Sequence, residues 1–327
     1  MIRFSGGMRR VLILGGSGWL GRRLAERAVA AGDEVTCVAR GEAGAVPDGA
    51  RHLRVDRRDP GAYDGLRGEW DEVVELAHAP ELVGPALGHL APAAAHWTLV
   101  SSVSVYADVQ QPDADETAAL VEPADPGQYA DAKVLAERAA ADALGGRLLI
   151  ARPGLIAGPG DPSDRLGYWP ARFARGGTVL TPETDGRFAQ AIDVDDLADR
   201  LHAAGSAGAT GAVDAVGPAV PLGDLLAAAA ELAGFRGDVV RADDETLLAH
   251  GVGYWAGPRS LPLWLPAAAV GFSRRSTASY LCAGGHHRPP VETLRRVLDD
   301  ERARGLDRRR RSGLEPRDER AVLDALR

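Results

Sequence analysis

The chain is poor in cysteine: its 327 residues include only Cys37 and Cys282. Each lies in an apolar local pattern and reads as a buried or half-buried free thiol. Two such residues build neither a disulfide framework nor a thiolate metal site, so no metal is expected and a reducing cytoplasm is the compartment that fits. Long apolar runs are missing as well. None approaches the roughly eighteen residues of a membrane span, and Met1-Ile2-Arg3-Phe4-Ser5-Gly6-Gly7 lacks the apolar centre of a secretory signal. No membrane partner is expected. Met8 can serve as the first residue, which makes 1–8 a disordered leader. Positive charge is also short: the formal net charge is -8, whereas a nucleic-acid partner calls for a basic face. One basic run, Arg308-Arg309-Arg310-Arg311, stands close to Asp307, Glu315, Asp318 and Glu319, and the mixture reads as a solvated surface element.

What is present is an ordinary soluble composition, 45% apolar and 26% charged, long enough for one large core or two unequal ones. Short runs rich in Val, Leu or Ile near 10–14, 34–38, 52–55, 72–76, 97–101 and 147–151 alternate with helical patterns at 19–31, 59–67, 81–95 and 129–144. Such runs suit strands buried on both faces. Their alternation predicts an α/β fold with a Rossmann-type, doubly wound parallel sheet, whose strand carboxyl ends share one ligand-binding edge. After Arg152-Pro153-Gly154, Pro and Gly punctuate the chain, and Asp193-Val194-Asp195-Asp196-Leu197-Ala198 has the acidic first turn of a capped helix. The expected organisation is a sheet domain over 9–151 with later elements returning to it, a smaller C-terminal lobe over 152–305, and a charged helical tail over 306–327.

The most informative stretch is Val11-Leu12-Ile13-Leu14-Gly15-Gly16-Ser17-Gly18-Trp19-Leu20-Gly21. An apolar run ends in glycines three apart and a helical pattern starts at once, as in a chain that holds a pyrophosphate at a helix N-terminus. Gly15 permits the tight turn, Gly18 lets backbone approach the phosphates, and Gly21 lets the helix pack close to the sheet. Ser17, Trp19 and Leu20 belong to the same turn, and 9–151 thereby reads as a dinucleotide-binding domain. At the end of the second strand an acid would hydrogen-bond the adenosine ribose of NAD. Arg40 stands there instead, and a guanidinium suits a 2′-phosphate, so NADP(H) is favoured over NAD(H). Arg22 and Arg23 are placed to add charge. The alternative is a solvated Arg40 that stacks loosely on adenine. Asp56 ends the third strand, as an acceptor for the adenine amino group or as a turn residue.

Tyr129 and Lys133, at i and i+4, share one helix face. A phenol titrates at about 10 in isolation. A close ammonium and the positive ring of a nicotinamide bring that value down and fit Tyr129 for acid–base work. Ser102 follows the fifth strand at the ligand edge, where its hydroxyl can hold a substrate oxygen beside the phenol.

Taken together and in order, Gly15-x-x-Gly18-x-x-Gly21, Val100-Ser101-Ser102-Val103-Ser104-Val105-Tyr106, Tyr129-x-x-x-Lys133, Arg152-Pro153-Gly154 and Ile192-Asp193-Val194-Asp195-Asp196-Leu197-Ala198 give the chain its resemblance to a known family. From about Arg9 to about residue 300 it resembles the extended short-chain dehydrogenase/reductase superfamily, in its NAD-dependent epimerase/dehydratase group. The resemblance implies that Tyr129 is the acid–base, that Lys133 also holds the nicotinamide ribose, and that Ser102 polarises the reacting oxygen. It further implies Pro153 and Gly154 along the nicotinamide, Leu76, Ala77 and His78 by the cofactor phosphates and ribose, Ser101 among the cofactor residues and Ser104 among the substrate residues. It implies a homodimer through the catalytic helices, for which the alanine-rich face of 130–143 allows close packing. The chain departs from the pattern in three places. Val103-Ser104 follows Ser102 without the Asp-Glu pair of the sugar-nucleotide dehydratases. Glu75-Leu76-Ala77-His78 replaces a His-Leu-Ala-Ala pattern, and Gly154-Leu155-Ile156 stand where an Asn is common.

On the substrate side, Tyr168, Trp169, Gln190 and Trp264 are the candidates, since aromatic and amide groups stack on and orient a polar ring. The alternative is that the tryptophans fill the lobe core. The expected function is an NADP(H)-leaning oxidoreductase that passes hydride between the nicotinamide and a secondary alcohol or ketone of a small polyhydroxylated substrate: a sugar, nucleoside or natural-product intermediate. Two alternatives are a nucleotide-sugar epimerase with tightly bound NAD and a non-catalytic dinucleotide-binding or RNA-associated relative. The intact Ser102, Tyr129 and Lys133 set argues against the last.

Overall fold

Residues 8–326 are described in the computed structural model of the protein; the leader expected over 1–8 lies outside them, apart from the exposed Met8. The first half alternates as its apolar runs require: β1 (Arg10–Leu14), α1 (Trp19–Ala30), β2 (Glu34–Ala39), β3 (Arg51–Arg54), β4 (Glu72–Glu75), α2 (Pro80–Leu90), β5 (Trp97–Val100), α3 (Tyr129–Leu144) and β6 (Leu148–Ala151). The second half continues with β7 (Leu155–Ala157), α4 (Arg165–Ala174), β8 (Val179–Pro182), β9 (Phe188–Asp193), α5 (Val194–Ala207), β10 (Gly211–Val213), β11 (Ala219–Pro221) and α6 (Leu222–Ala233). It ends with β12 (Val239–Ala242), α7 (Asp244–Ala249), β13 (Gly253–Trp255), β14 (Ser260–Pro262), α8 (Ala278–Cys282), α9 (Pro290–Arg304) and α10 (Pro316–Ala325).

Seven strands form one parallel sheet in the order β10-β6-β5-β4-β1-β2-β3. The order reverses between β1 and β4, which opens a crevice at their carboxyl ends. Side chains of β1 alternate between two cores, as strand geometry demands. Leu12 and Leu14 pack with Val83 and Leu87 of α2 and Ala136 and Ala140 of α3, while Val11 and Ile13 pack with Leu24 and Ala28 of α1 and Leu197 and Leu201 of α5. The seventh strand, β10, is only three residues long and pairs Gly211 with Leu149; so short a run gives no periodic signal. Helix α5 starts from Asp193, whose carboxylate accepts the Asp195 N–H at 2.9 Å, and Arg27 of α1 ties to it through Asp195 at 2.8 Å and Asp199 at 2.5 Å.

Three expectations are corrected. The helix expected over 59–67 is a series of turns. Gly61 and Gly68 adopt φ of +77° and +91°, and Ala62, Tyr63 and Leu66 turn into the core with a spacing that mimics a helix face. Cys282 is exposed, whereas Cys37 is buried. The basic run is not a solvated element. Arg308 binds Asp164 and, at 2.7 Å, Glu301; Arg310 reaches Glu301 at 2.6 Å; and the Arg311 N–H donates to Asp164 at 2.8 Å. Arg309, by contrast, stands out in solvent. Two buried carboxylates, remote in sequence or on a neighbouring helix, thus hold the run down.

Candidate active site

A cleft of about 1150 Å3 opens at the switch between β1 and β4. Gly15, at φ +103°, turns the chain out of β1, and its carbonyl accepts the Gly18 N–H at 3.0 Å. A Cβ on Gly21 would lie 2.4 Å from that carbonyl oxygen and 2.9 Å from the Leu76 side chain, so helix and turn meet only because glycine has none. Helix α1 has no side-chain cap, and Gly15, Ser17, Gly18, Trp19, Leu20 and Gly21 line the cleft. Uncapped N–H groups at the edge of an open cleft make a seat for an anion. Trp19 Nε1 donates to the Pro159 carbonyl at 2.9 Å, which ties this turn to the loop that opens the second lobe.

Arg40, Asp56, Arg57 and Arg58 line the same cleft beyond β2 and β3. Arg40 meets Glu42 at 3.0 Å. Asp56 accepts from the Arg58 backbone and side chain at 2.6–3.0 Å, which holds its carboxyl well below the usual range. Leu76, Ala77 and His78 form another part of the wall. Here the unusual Glu75 finds its explanation: fully buried, it pairs with Arg57 at 2.8 and 2.5 Å and accepts the Ala77 N–H at 2.8 Å. A buried ion pair therefore fixes the turn after β4.

Ser101, Ser102, Ser104, Tyr129, Lys133, Pro153 and Gly154 come together on the opposite side. The Ser102 hydroxyl accepts the Ser104 N–H at 3.1 Å and donates to the Ser104 hydroxyl at 3.2 Å. Tyr129 opens α3 and projects into the cleft, 49% exposed, with the His78 ring edge-on at 4.9 Å. Lys133 lies one turn on, buried, its ammonium 5.8 Å from the Tyr129 ring centre and donating to the Val100 carbonyl at 2.6 Å. Desolvation lowers Lys133 to about 8, against the pull of Glu75 and Glu137. Glu137 is itself held by Arg152 at 3.0 and 2.7 Å. Burial raises the Tyr129 phenol, while the Ser102 hydroxyl and the Arg165 guanidinium lower it. Arg165 is thus a second cation within reach of this phenol, beside the Lys133 to which the helix spacing pointed. Burial and Lys133 together push His78 down.

Four expected substrate residues are not in the cleft lining. Tyr168, Trp169 and Trp264 are almost wholly buried in the second core, with Phe173, Leu180 and Leu261. Trp169 Nε1 donates to the Pro262 carbonyl at 2.8 Å and Trp264 Nε1 to Asp244 at 3.0 Å. Gln190 is buried too, bonding the Gly217 and Arg275 carbonyls and the Arg275 N–H, each at 2.9 Å. A lobe of short strands has few apolar residues per element, so its bulky aromatics are needed inside. The wall facing Tyr129 is built instead by Asp161, Ser163, Arg165, Trp255, Phe272 and Arg311. Their sequence signal was slight: the Pro and Gly that punctuate the chain after Arg152-Pro153-Gly154 marked the region, and nothing marked Trp255, which sits at φ +67°. No cluster of three or more His, Cys, Asp or Glu side chains fit for a metal occurs among the described residues, and no described helix is long and apolar enough to cross a membrane.

Residues 11–85 match the family model of the NAD dependent epimerase/dehydratase family. No curated protein matches the chain. Among solved structures, a protein from Burkholderia cenocepacia J2315 named provisionally as an epimerase is 27% identical, with a TM-score of 0.70 over 90% of this chain and 98% of that one. UDP-glucose 4-epimerase of Thermus thermophilus, in complex with NAD, is 20% identical, with a TM-score of 0.63 over 90% and 99%. RMD from Pseudomonas aeruginosa, complexed with NADPH, is 20% identical, with a TM-score of 0.62 over 91% and 99%. Residues 11–85 thus carry the sequence pattern of the NAD dependent epimerase/dehydratase family, and over 90% of its length the chain shares the fold of these solved structures.

Proposed function

We propose that the protein is a nicotinamide-dinucleotide enzyme that works at a secondary carbinol carbon of a small polyhydroxylated substrate, with Tyr129 as acid–base. The observation that carries this is the convergence of Ser102, Tyr129 and Lys133 on the cleft that the glycine turn opens. The N–H groups at the start of α1, which has no side-chain cap, fit a pyrophosphate, and Lys133 fits a ribose hydroxyl. Pro153 and Gly154 fit one face of a nicotinamide, and residues 9–151 would hold most of the cofactor. When bound, that cofactor supplies the carbon that takes or returns hydride. Tyr129 removes the proton from the substrate hydroxyl as it is oxidised and returns it on reduction. Ser102 holds the same oxygen, and buried Lys133 orients the ribose.

Of the two outcomes, epimerisation is favoured over net oxidation or reduction, because named epimerases are among the solved relatives and share the fold. The net NADP(H) oxidoreductase is the second reading. It draws on Arg40 and Arg58 beside the expected adenosine, where each already meets a carboxylate, Glu42 and Asp56, that a 2′-phosphate would have to displace. Purified protein carrying NAD(H), with no net turnover of added cofactor, supports epimerisation. Oxidation of free NADPH by a ketone panel, with tighter binding of NADPH than of NADH, supports the second reading. A Tyr129→Phe protein of undiminished activity would overturn both. The proposal keeps a homodimer as its expected assembly, tested by sedimentation.

A further inference from the structure

Most arginines beyond residue 152 meet a carboxylate: Arg172 meets Glu319 at 2.5 Å, Arg187 Asp244 at 2.6 Å and Arg308 Glu301 at 2.7 Å. Arg165 does not, although it lines the cleft that holds Tyr129. Its Nε donates to the Ser163 hydroxyl at 3.1 Å, and its guanidinium carbon lies 5.1 Å from the centre of the Trp255 ring. The nearby Asp161 carboxylate is turned to other work, accepting the Ser163 N–H at 2.8 Å and the Ser163 hydroxyl at 2.9 Å. The two terminal nitrogens of Arg165 have no acceptor among the described residues. One edge of the guanidinium is thus tethered and one face stacked, and the fork is left over for something else. Arg311 lines the same wall, likewise without a carboxylate partner for its side chain among the described residues. It is placed there by its own backbone N–H on Asp164 at 2.8 Å and by the adjacent Ser312 hydroxyl on the Ser163 carbonyl at 2.9 Å.

A guanidinium fixed on one edge and free on the other is shaped for two parallel bonds to a planar or tetrahedral oxyanion, and holding it in place beforehand spares the entropy of ordering it. We propose that Arg165, with Arg311 behind it, is a receptor for an oxyanion carried by the substrate, a carboxylate or a phosphate, close to the carbon at which Tyr129 works. The inference rests on the reading of the cleft given above, and it narrows the substrate from any polyhydroxylated molecule to an anionic one.

The test uses the full chain saturated with whichever of NADH or NADPH it binds, so that the glycine turn is filled. Sodium acetate and inorganic phosphate are titrated separately at constant ionic strength, and binding is followed by calorimetry and by tryptophan fluorescence, to which Trp255 contributes. Saturable binding of at least one anion is expected, weakened about tenfold or more in Arg165→Met, with cofactor affinity unchanged. Tighter acetate points to a carboxylate substrate and tighter phosphate to a phosphorylated one. If neither anion saturates, or if Arg165→Met binds them as well as the parent, the receptor is refuted. Should the methionine variant not fold, Arg165→Lys decides: it keeps the charge, loses the fork, and must still bind severalfold more weakly. Failure to take up any dinucleotide would instead sink the proposed function, and the acetate difference between parent and variant would still judge the receptor.

Discussion

The two walls of the cleft are built by opposite means. The wall proposed for the cofactor is backbone where it would meet the phosphates: a glycine turn with φ +103° at Gly15, a helix end without a side-chain cap, and a strand buried on both faces. The wall proposed for the substrate is side chain: a tethered arginine, a tryptophan at positive φ, and a tail clasped by buried carboxylates. Backbone recognition suits a ligand that never changes, since peptide N–H groups cannot be varied without moving the fold. Side-chain recognition suits a ligand that differs between relatives. Tyr129 stands between the two walls, so its loss is the hardest way to break the comparison. Tyr129→Phe keeps both walls and removes the proposed proton carrier. Turnover is expected to fall about 100- to 10,000-fold, with dinucleotide affinity unchanged by fluorescence titration; a fall in affinity of similar size would make Tyr129 part of the cofactor wall instead.

The second effect is confined to the side-chain wall. Glu301 is almost wholly buried and receives both Arg308 and Arg310. Glu301→Ala leaves the Arg310 guanidinium without its carboxylate and Arg308 with Asp164 alone, at a cost of about 3 kcal/mol, read as a lowered denaturation midpoint. Cofactor affinity should hold. The third is confined to the backbone wall. A methyl group at Gly21 would press on the Gly15 carbonyl at 2.4 Å and on Gly16 Cα at 2.9 Å, neither of which can step aside. Gly21→Ala is expected to cost about 1–3 kcal/mol and to weaken dinucleotide binding, while acetate binding at the other wall persists. If either substitution damages both walls equally, the walls are one cooperative unit and the comparison fails.

The same contrast explains how much the sequence disclosed. Strands buried on both faces announce themselves as continuous runs, and the Gly15-Gly18-Gly21 spacing has few other uses, so sheet, turn and the Tyr129–Lys133 helix were all legible. The turns at 59–67 were not, because Ala62, Tyr63 and Leu66 reach one core with helix-like spacing. The substrate wall was misread for a deeper reason. Tyr168, Trp169 and Trp264 have the chemistry of a binding site, and so does every large aromatic that fills a core of short strands; only burial separates the two cases. The basic run looked solvated because its acidic partners, Asp164 and Glu301, are supplied by distant or apparently surface-facing positions, and pairing of that kind leaves no local pattern.

The smallest effect tests whether the walls communicate through charge. In the free protein, burial raises the Tyr129 phenol, and Ser102 and Arg165 pull it back. Removing the cation in Arg165→Met must move the phenol upward. Oxidation of an alcohol needs the phenolate, so its rate climbs as pH rises through that value, and the climb should come later in the variant, by up to about one pH unit. Reduction of a ketone needs the protonated phenol, so its high-pH decline should be postponed by the same amount. Lys133, held at about 8 by desolvation, with Glu75 and Glu137 opposing, loses its proton below the range of the raised phenol. His78, pushed down by burial and by Lys133, titrates below it. Both are present in parent and variant, so the difference between the two kcat/KM profiles isolates Arg165. A saturated substrate receptor would shrink that difference, because the bound oxyanion neutralises the guanidinium whose field reaches the phenol. Profiles taken with an anionic and a neutral substrate should therefore diverge in the parent and coincide in Arg165→Met, and coincidence in both would confine Arg165 to binding alone.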